Sequence, residues 1–486
     1  MPPASAKKFC QYNEAAHTAM RLATISNNGC NATGMVLFRR LRSIRKIVVR
    51  MKETGSLIIA GICLVLAGNA SLARHTKEPK PAVPDVNAAA ASALRELYQK
   101  QAAQLLWYCN SCEAKRIALL DYIRHSDTLG LEPDHYLDGP DSAFPRNPKA
   151  DSISLQKADR ELSKIALRFS YDLYAGADHS RLLSYDEVSP RYAEADMSFL
   201  ARSLAQASDA PDLINMLSGL QPKTKRYQSL KKELQHLPVS GQKKRRALLA
   251  AMSYCRWIHH FSFDRYIVVN IPAASLHFYY GAGAALQMKT VVGTPDDRTP
   301  RMATHITKIS LYPYWNIPRG MMMEEWFDLI KDNRAVLDYH ELEIVDSRGN
   351  VIPYERINWR SMNKRNFPYR IRQKTGCANP LGVVRFDMSN PFDVYLHDTP
   401  GKGAFGGMSR YYSHGCVRVE DAIGLAKAIL PGKVDEQYLS ACFSDQSPRE
   451  LPVPEPVPVF IVYMTADADE SGNVSYYKDI YGLWEK

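Results

Sequence analysis

Helical periodicity dominates the first third of the folded part of this chain. Leu94, Leu97, Gln101 and Leu105 fall at three- and four-residue steps, as do Leu162, Ile165, Phe169 and Leu173, and that is the repeat of one helix face. Lys115–His125, Met197–Ala207 and Leu248–Trp257 read the same way. Polar turns such as Gly139-Pro140-Asp141 and Gln221-Pro222-Lys223 separate them. The pattern predicts an all-helical domain over residues 93–261. At Tyr266 the period changes. Tyr266–Ile271 and Ser275–Tyr280 are β-branched or aromatic, and a turn at Gly281–Gly283 leads into Leu286–Val292, which predicts a hairpin. Further strands are expected at Thr304–Ser310, Phe392–His397, Val457–Tyr463 and Val474–Tyr477. A mixed segment over about 313–370, carrying Trp315, Trp326 and Trp359, is expected to fold over the sheet as a lid. The fold class is therefore α+β, a helical domain followed by a mainly β domain over residues 262–486.

Composition fits two or three globular domains in 486 residues, with 45% apolar and 23% charged positions. The net charge of +11 suggests nucleic acid until its distribution is read. Residues 1–73 hold ten Lys or Arg against two Asp or Glu, whereas the other 413 hold 52 against 49. A nucleic-acid partner needs a basic face on the folded part, so none is expected. Within the leader, seven cations between Arg39 and Lys52 precede the apolar run Leu57–Ala67, and small residues follow to Ala73. That is the layout of an export signal over 51–73. The alternative is a short membrane anchor, for which the apolar core falls below the roughly 20 residues of a span. Residues 1–50 are expected to be an upstream extension, with Met51 the true initiator, and residues 74–92 a linker. The expected location is the periplasm.

Nine cysteines are present, six of them after Ala73. Cys109-Asn-Ser-Cys112 has redox spacing but lacks the βαβ setting such a pair needs, which leaves a structural disulfide or two ordinary thiols. Cys377 is a second, weaker candidate nucleophile. A metal held by His397, His414 and Cys416 would lack any short paired-ligand spacing, so no metal or other cofactor is expected.

The densest chemistry lies in Tyr395–Lys402 and Tyr412–Val419. A free thiol has a pKa near ~8.5 and is mostly protonated at neutral pH, and a histidine within reach can take its proton. His397 closes an expected strand and Cys416 stands near the start of the next, so neighbouring strands can bring them together. Gly415 lets backbone approach closely, and amides near Cys416 are candidate oxyanion donors. Taken singly, a cysteine or a histidine is more often a packing residue than a catalyst.

The combination changes that balance. Ser413-His-Gly-Cys416 with His397 upstream resembles the signature of L,D-transpeptidases with a YkuD-type catalytic domain. Val269–Ala273, Val291–Gly293, Tyr314–Pro318, Arg372-Gln373, Asn379–Gly382, Leu396–Pro400, Pro456–Phe460 and Asp479–Gly482 resemble the larger YcbB-like subgroup. Gly130–Pro133, Tyr136 and Asp172–Gly176 are similar to that subgroup's N-terminal scaffold domain. The peptidoglycan-binding module that many relatives insert between the two has no counterpart in Pro238–Phe263. The resemblance implies Cys416 as the acylated nucleophile and His397 as proton donor and acceptor, its ring oriented by a backbone carbonyl and Asp398 mainly structural. It implies Ser413, His414 and Gly415 as residues shaping the oxyanion pocket, and Arg418, Arg372 and Asn379 as substrate-binding. The partners implied are peptidoglycan stem peptides, with an outer-membrane lipoprotein as one possible acceptor, and oligomeric state is left open. Hydrolytic and exchange activities belong to the same family. A papain-like or NlpC-type hydrolase places its Cys before its His, the reverse of the order here. A non-catalytic wall-binding protein is the alternative of a different class.

Overall fold

A computed structural model describes residues 86–100, 105–137, 152–177, 183–238, 240–281, 283–442 and 446–484. The leader, most of the expected linker and the turn at Gly139–Asp141 lie outside the described residues. Residues 74–486 form one compact unit.

Among the described residues seven α-helices precede the main sheet's central strands: α1 (Val86–Lys100), α2 (Glu113–Arg124), α3 (Ser152–Ala175), α4 (Ala193–Gln206), α5 (Ala210–Gly219), α6 (Lys225–His236) and α7 (Gln242–His260). α1 corrects the expected linker, which gives way to helix at Val86. Ala88–Ala91 are the strongest helix formers, and Ala89, Ala93, Leu94 and Leu97 bury one face of the helix. The predicted periodic positions Leu162, Phe169 and Leu173 of α3 are fully buried in the core shared by α1 to α5. Asp159 of α3, also fully buried, accepts the backbone N–H groups of Leu106, Trp107 and Tyr108. It thereby fixes the segment leading to Cys109, which is disulfide-bonded to Cys112. Of the two readings of that pair, the structure gives the disulfide.

The described residues also hold fifteen strands, the first between α3 and α4 and the others after α7: β1 (Tyr185–Asp186), β2 (Arg265–Asn270), β3 (Ser275–Tyr280), β4 (Gly283–Gly293), β5 (Met302–Leu311), β6 (Trp315–Asn316), β7 (Leu342–Val345), β8 (Arg370–Gln373), β9 (Val384–Met388), β10 (Leu396–His397), β11 (Tyr411–Ser413), β12 (Val417–Val419), β13 (Arg449–Val462), β14 (Ala466–Ala468) and β15 (Val474–Tyr476). The main sheet runs β1-β5-β13-β2-β3-β4-β12-β10-β9, and β9 pairs back onto β5. The path from β5 to β9 is therefore closed. Closure removes exposed edges and turns alternate residues of every strand inward. The inward set includes Ile267, Val269, Leu276, Ile306, Phe386, Leu396, Val417, Val459 and Ile461, packed in one core with the helix Ala422–Ile429. Outward residues of the same strands, Val268, Ala303, Phe460 and Val462, pack instead with Leu248, Tyr254 and Trp257 of α7. Most of β2 and the second half of β13, Val457–Val462, are thus buried on both faces, which is why Tyr266–Val269 and Val457–Val462 read as apolar runs.

The expected strand at Phe392–His397 is shorter than predicted. Only Leu396 and His397 pair, because Asn390 captures the chain before them: its Oδ1 accepts the Phe392 and Val394 N–H groups and its Nδ2 donates to the Val394 carbonyl. Asp393 is held there at φ +53°. Between β5 and β9, strands β6, β8 and β7 form a separate three-stranded sheet. It has its own apolar core around Phe327, Ile330, Trp359, Phe367 and Ile371. Among the described residues no helix is long and apolar enough to cross a membrane.

Cys377 is disulfide-bonded to Cys442 across 65 residues. This removes it as a candidate nucleophile, since its sulfur carries no proton and no free charge. By chain entropy a loop of that length stabilises the fold by about 4 kcal/mol. The double variant Cys377→Ala/Cys442→Ala is expected to unfold at clearly lower denaturant, measured by equilibrium urea unfolding. A midpoint equal to the parent's would show that the bridge contributes nothing.

Candidate active site

The site is built on a two-residue pairing in the barrel. β10 runs parallel to β12 with Leu396 opposite Val417 and His397 opposite Arg418, and it runs antiparallel to β9 with His397 opposite Arg385. Side chains alternate along a strand. Leu396 and Val417 point into the barrel and are fully buried, so Tyr395, His397, Cys416 and Arg418 share the outer face. The rings of Tyr395 and His397 accordingly meet edge to face at 6.0 Å. Cys416 and His397 are therefore brought to one patch, although 19 positions separate them.

His397 is 4% exposed, and its Nδ1 lies 2.5 Å from the Asp398 carbonyl oxygen. A carbonyl can only accept, so Nδ1 carries the hydrogen and Nε2 is left with its lone pair. That is the tautomer a general base requires. Asp398 keeps its own carboxylate away from the ring. Oδ2 accepts the Val383 N–H at 2.9 Å and Oδ1 pairs with Lys402 Nζ at 2.6 Å. Gly382 stands at φ +59°, and a Cβ there would lie 2.2 Å from Asp398 Oδ2, so only glycine lets this carboxylate approach.

Cys416 is partly exposed and unbridged. Its Sγ donates to the Asp393 carbonyl at 3.9 Å. Gly415, at φ +101°, supplies the left-handed turn before it, a conformation that disfavours other residues. The loop is pinned from two sides. Ser413 Oγ donates to the Cys416 carbonyl at 2.5 Å, and Thr299 Oγ1 donates to the Gly415 carbonyl at 2.8 Å. Thr299 in turn accepts the Gly293 N–H and donates its own N–H to Tyr481 Oη, whose hydroxyl donates to the Gly293 carbonyl. Among the described residues the N–H groups of Gly415 and Cys416 meet no acceptor. Two orphan amides at a nucleophile are what an oxyanion pocket needs.

Electrostatics favour an uncharged pair. Burial, then the Arg418 and Arg385 guanidinium groups, push the His397 pKa down to about 3. Burial pushes the Cys416 thiol up, against a hydrogen bond from Tyr395 and the attraction of Arg418. Arg385 is itself tied to Asp387 at 2.7 Å and lies over the Tyr395 ring. Arg418 lies 5.9 Å over Tyr412, and among the described residues its buried Nε has no hydrogen-bond partner.

The other expected residues fall elsewhere. His414 is exposed on the same loop as Cys416. Arg372 sits in the three-stranded sheet, ion-paired to Glu343 at 2.9 Å and stacked 3.8 Å over Tyr314. Asn379 is 1% exposed, and its amide is engaged within its loop. Nδ2 donates to Lys374 and Pro313, and Oδ1 accepts from Leu381. No exposed polar atom remains on Asn379 for a substrate, which makes it a brace for the turn entering β9. The sequence reading missed Arg385, Thr299 and any role for Tyr481. Arg385 could have been found by placing a third strand beside His397; nothing local marks Thr299. Among the described residues no cluster of His, Cys, Asp or Glu could hold a metal ion.

Comparison with known proteins fits this geometry. A family model for the L,D-transpeptidase catalytic domain, YkuD, matches residues 264–439, and a scaffold-domain model matches residues 92–234. Residues 264–439 thus form an L,D-transpeptidase catalytic domain of the YkuD type. The chain carries the scaffold domain ahead of this catalytic one. A candidate L,D-transpeptidase of Haemophilus influenzae is 34% identical over 221 residues, 45% of each chain. The match thus spans about half the length of that curated relative. Similar solved structures include the catalytic domain of the E. faecium L,D-transpeptidase acylated by ertapenem, at 13% identity, 41% of this chain, 96% of that one and a TM-score of 0.21. Another is the L,D-transpeptidase from Mycobacterium smegmatis, at 14% identity, 41% and 58% coverage and a TM-score of 0.18. At these scores the likeness carries no functional argument.

The uncharged resting pair has a measurable consequence. Below its pKa a thiol gains thiolate about tenfold per pH unit, and an ordinary cysteine levels off near pH 8.5. With the thiol pushed up, iodoacetamide labelling of Cys416, with Cys416→Ala as the blank, is expected to keep accelerating beyond pH 9. Flat labelling from pH 6 to 8 would instead reveal a preformed thiolate–imidazolium pair.

Proposed function

We propose that this protein is a cell-wall L,D-transpeptidase acting through a Cys416 thioester. The observation that carries the reading is the shared outer face of β10 and β12, which sets Cys416 beside a buried His397 whose Nε2 is free to accept a proton. Cys416 Sγ attacks the carbonyl of the third residue in a donor tetrapeptide stem, and its proton passes to His397 Nε2. The oxyanion forms at the unpaired amides of Gly415 and Cys416. Collapse breaks the peptide bond to the terminal D-alanine, whose amine leaves with the proton from His397, and the thioester remains. A diaminopimelate amine from a second stem then attacks the thioester and gives its proton to His397. The thiolate leaves and recovers that proton.

Arg418 is the residue in this patch suited to a stem carboxylate, because its Nε is buried without a partner. Such an anion would also relieve the positive field on His397 as the ring gains its proton. General acid–base help of this kind typically contributes about 10²–10⁴-fold to rate. The three-stranded sheet serves as a lid, with Arg372 and its neighbours on the donor side, and Asn379 acts through the loop it braces. The two disulfides support a location outside the reducing cytoplasm, in agreement with periplasmic export. Carbapenems, as mimics of the donor, are expected to acylate Cys416.

The test is incubation of purified peptidoglycan sacculi with the protein from Arg74 onward, followed by mass analysis of the released muropeptides. Dimers joined between third residues are expected with the parent and absent with Cys416→Ala. Shortened monomers alone would assign hydrolysis or exchange in place of cross-linking. No change in either sample would favour the wall-binding reading.

A further inference from the structure

The near-neutral body hides a strong local asymmetry. Residues 223–246 hold nine Lys or Arg against Glu233 alone, and the remainder of residues 74–486 holds 43 against 48. The structure gathers this segment into α6, the turn after it and the start of α7. Three of its cations turn inward: Arg226 pairs with Asp467 at 3.0 Å, Lys231 donates to Gln221, and Arg245 is half-buried. Lys223, Lys225, Lys232, Lys243, Lys244 and Arg246 remain exposed.

Two of them, Lys225 and Lys232, line a groove of about 450 Å³ between α6 and the turn joining β14 to β15. Lys225, Ser229, Lys232 and His236 lie at helical spacing along one face of α6, and Ser471 and Gly472 form the opposite wall. Gly472 stands at φ +89°, and a Cβ there would lie 2.8 Å from Ser229 Oγ. Glycine therefore lets the turn close against the helix and give the groove a fixed wall. Asp469 holds the turn itself by accepting from Asn473. The acid in the groove, Glu233, accepts from Tyr476 Oη, and Lys244 lies 4.8 Å over the Tyr476 ring. The lining is polar throughout apart from Val474, so the occupant must be a hydrophilic anion.

We propose that this groove is a docking surface for the carboxylate-bearing stem peptides of the peptidoglycan sacculus, separate from the Cys416 patch. It rests on the proposed wall function only for the choice of partner. A polymer offering several carboxylates per repeat suits a row of lysines with nonspecific, salt-sensitive attraction. The rest of the body, with 43 cations against 48 acids, offers that polymer no net attraction, so the same charges that hold the wall also help to orient the protein on it.

The test is co-sedimentation of the Arg74-onward protein with purified sacculi, in a Cys416→Ala background so that no turnover intervenes. The triple variant Lys225→Gln/Lys232→Gln/Lys244→Gln is compared with its parent at rising salt. From the usual worth of exposed charge pairs, the bound fraction at low salt is expected to fall about tenfold, and the parent's binding to fade with added salt. In a Cys416-containing background the same lysine variants are expected to leave carbapenem acylation unchanged. Equal sedimentation of triple variant and parent would overturn the proposal. So would a parent that binds anionic phospholipid vesicles and not sacculi. Failure of acylation in the parent would count against the catalytic reading alone, because sedimentation is read without it.

Discussion

Everything at the candidate site depends on a two-residue parallel pairing, Leu396 with Val417 and His397 with Arg418. The register has little freedom because the other face of the same residues is committed to the barrel core. A slip by one position would turn Cys416 inward and bring Val417 into water. It would also break the bond from the Val417 N–H to the Tyr395 carbonyl, which continues the ladder past the strand end. Burying Leu396 and Val417 is worth roughly 1.5–3 kcal/mol each, and this apolar burial sets where the polar atoms on the far face must stand. The Cys416 thiol is thus placed by its hydrophobic neighbours.

The same three strands explain the charge state. Arg385, His397 and Arg418 are consecutive partners across β9, β10 and β12. A histidine between two guanidinium groups, and buried, has strong reason to stay neutral, and a neutral ring cannot hold a thiolate beside it. The resting site is therefore poised for proton transfer during attack, without an ion pair formed in advance. Positive charge around a buried base is unfavourable to the imidazolium until an anion arrives. On the proposed mechanism a substrate carboxylate would supply that anion, and binding would then also activate the base.

Much of this was legible in the sequence, for identifiable reasons. Long elements with a clear period, such as α3 and β2–β4, could be read because burial imposes the repeat. Cys416 and His397 could be read because they stand in a compact motif. What escaped was either local chemistry that overrides pattern or a contact made over long sequence distance. Ala88–Ala91 looked like linker beside prolines, yet alanine without proline inside the run is helix. Phe392–Tyr395 looked like strand, yet Asn390 holds it as a turn. Cys377 looked like a spare thiol, because its partner Cys442 is 65 residues away. Arg385 and Thr299 act through pairings that only the closed barrel creates. Asn379 resembled a substrate residue but is used up by its own loop.

The disulfides bear on why the thiol can survive at all. Among the described residues they leave two free cysteines, Cys255 and Cys416. Both are partly buried, and burial pushes the Cys255 thiol up to about 12, which lowers its thiolate content. Cys416 must stay reachable, so burial alone cannot protect it. Oxidation and disulfide exchange both proceed through the thiolate. A thiol held protonated by desolvation, hydrogen-bonded to the Asp393 carbonyl and paired with a histidine that resists charging is therefore shielded electronically while remaining accessible. The cost is a weaker nucleophile at rest, which is acceptable only if the substrate completes the activation. On the proposed mechanism, neutrality of the pair and the two flanking arginines follow from one requirement.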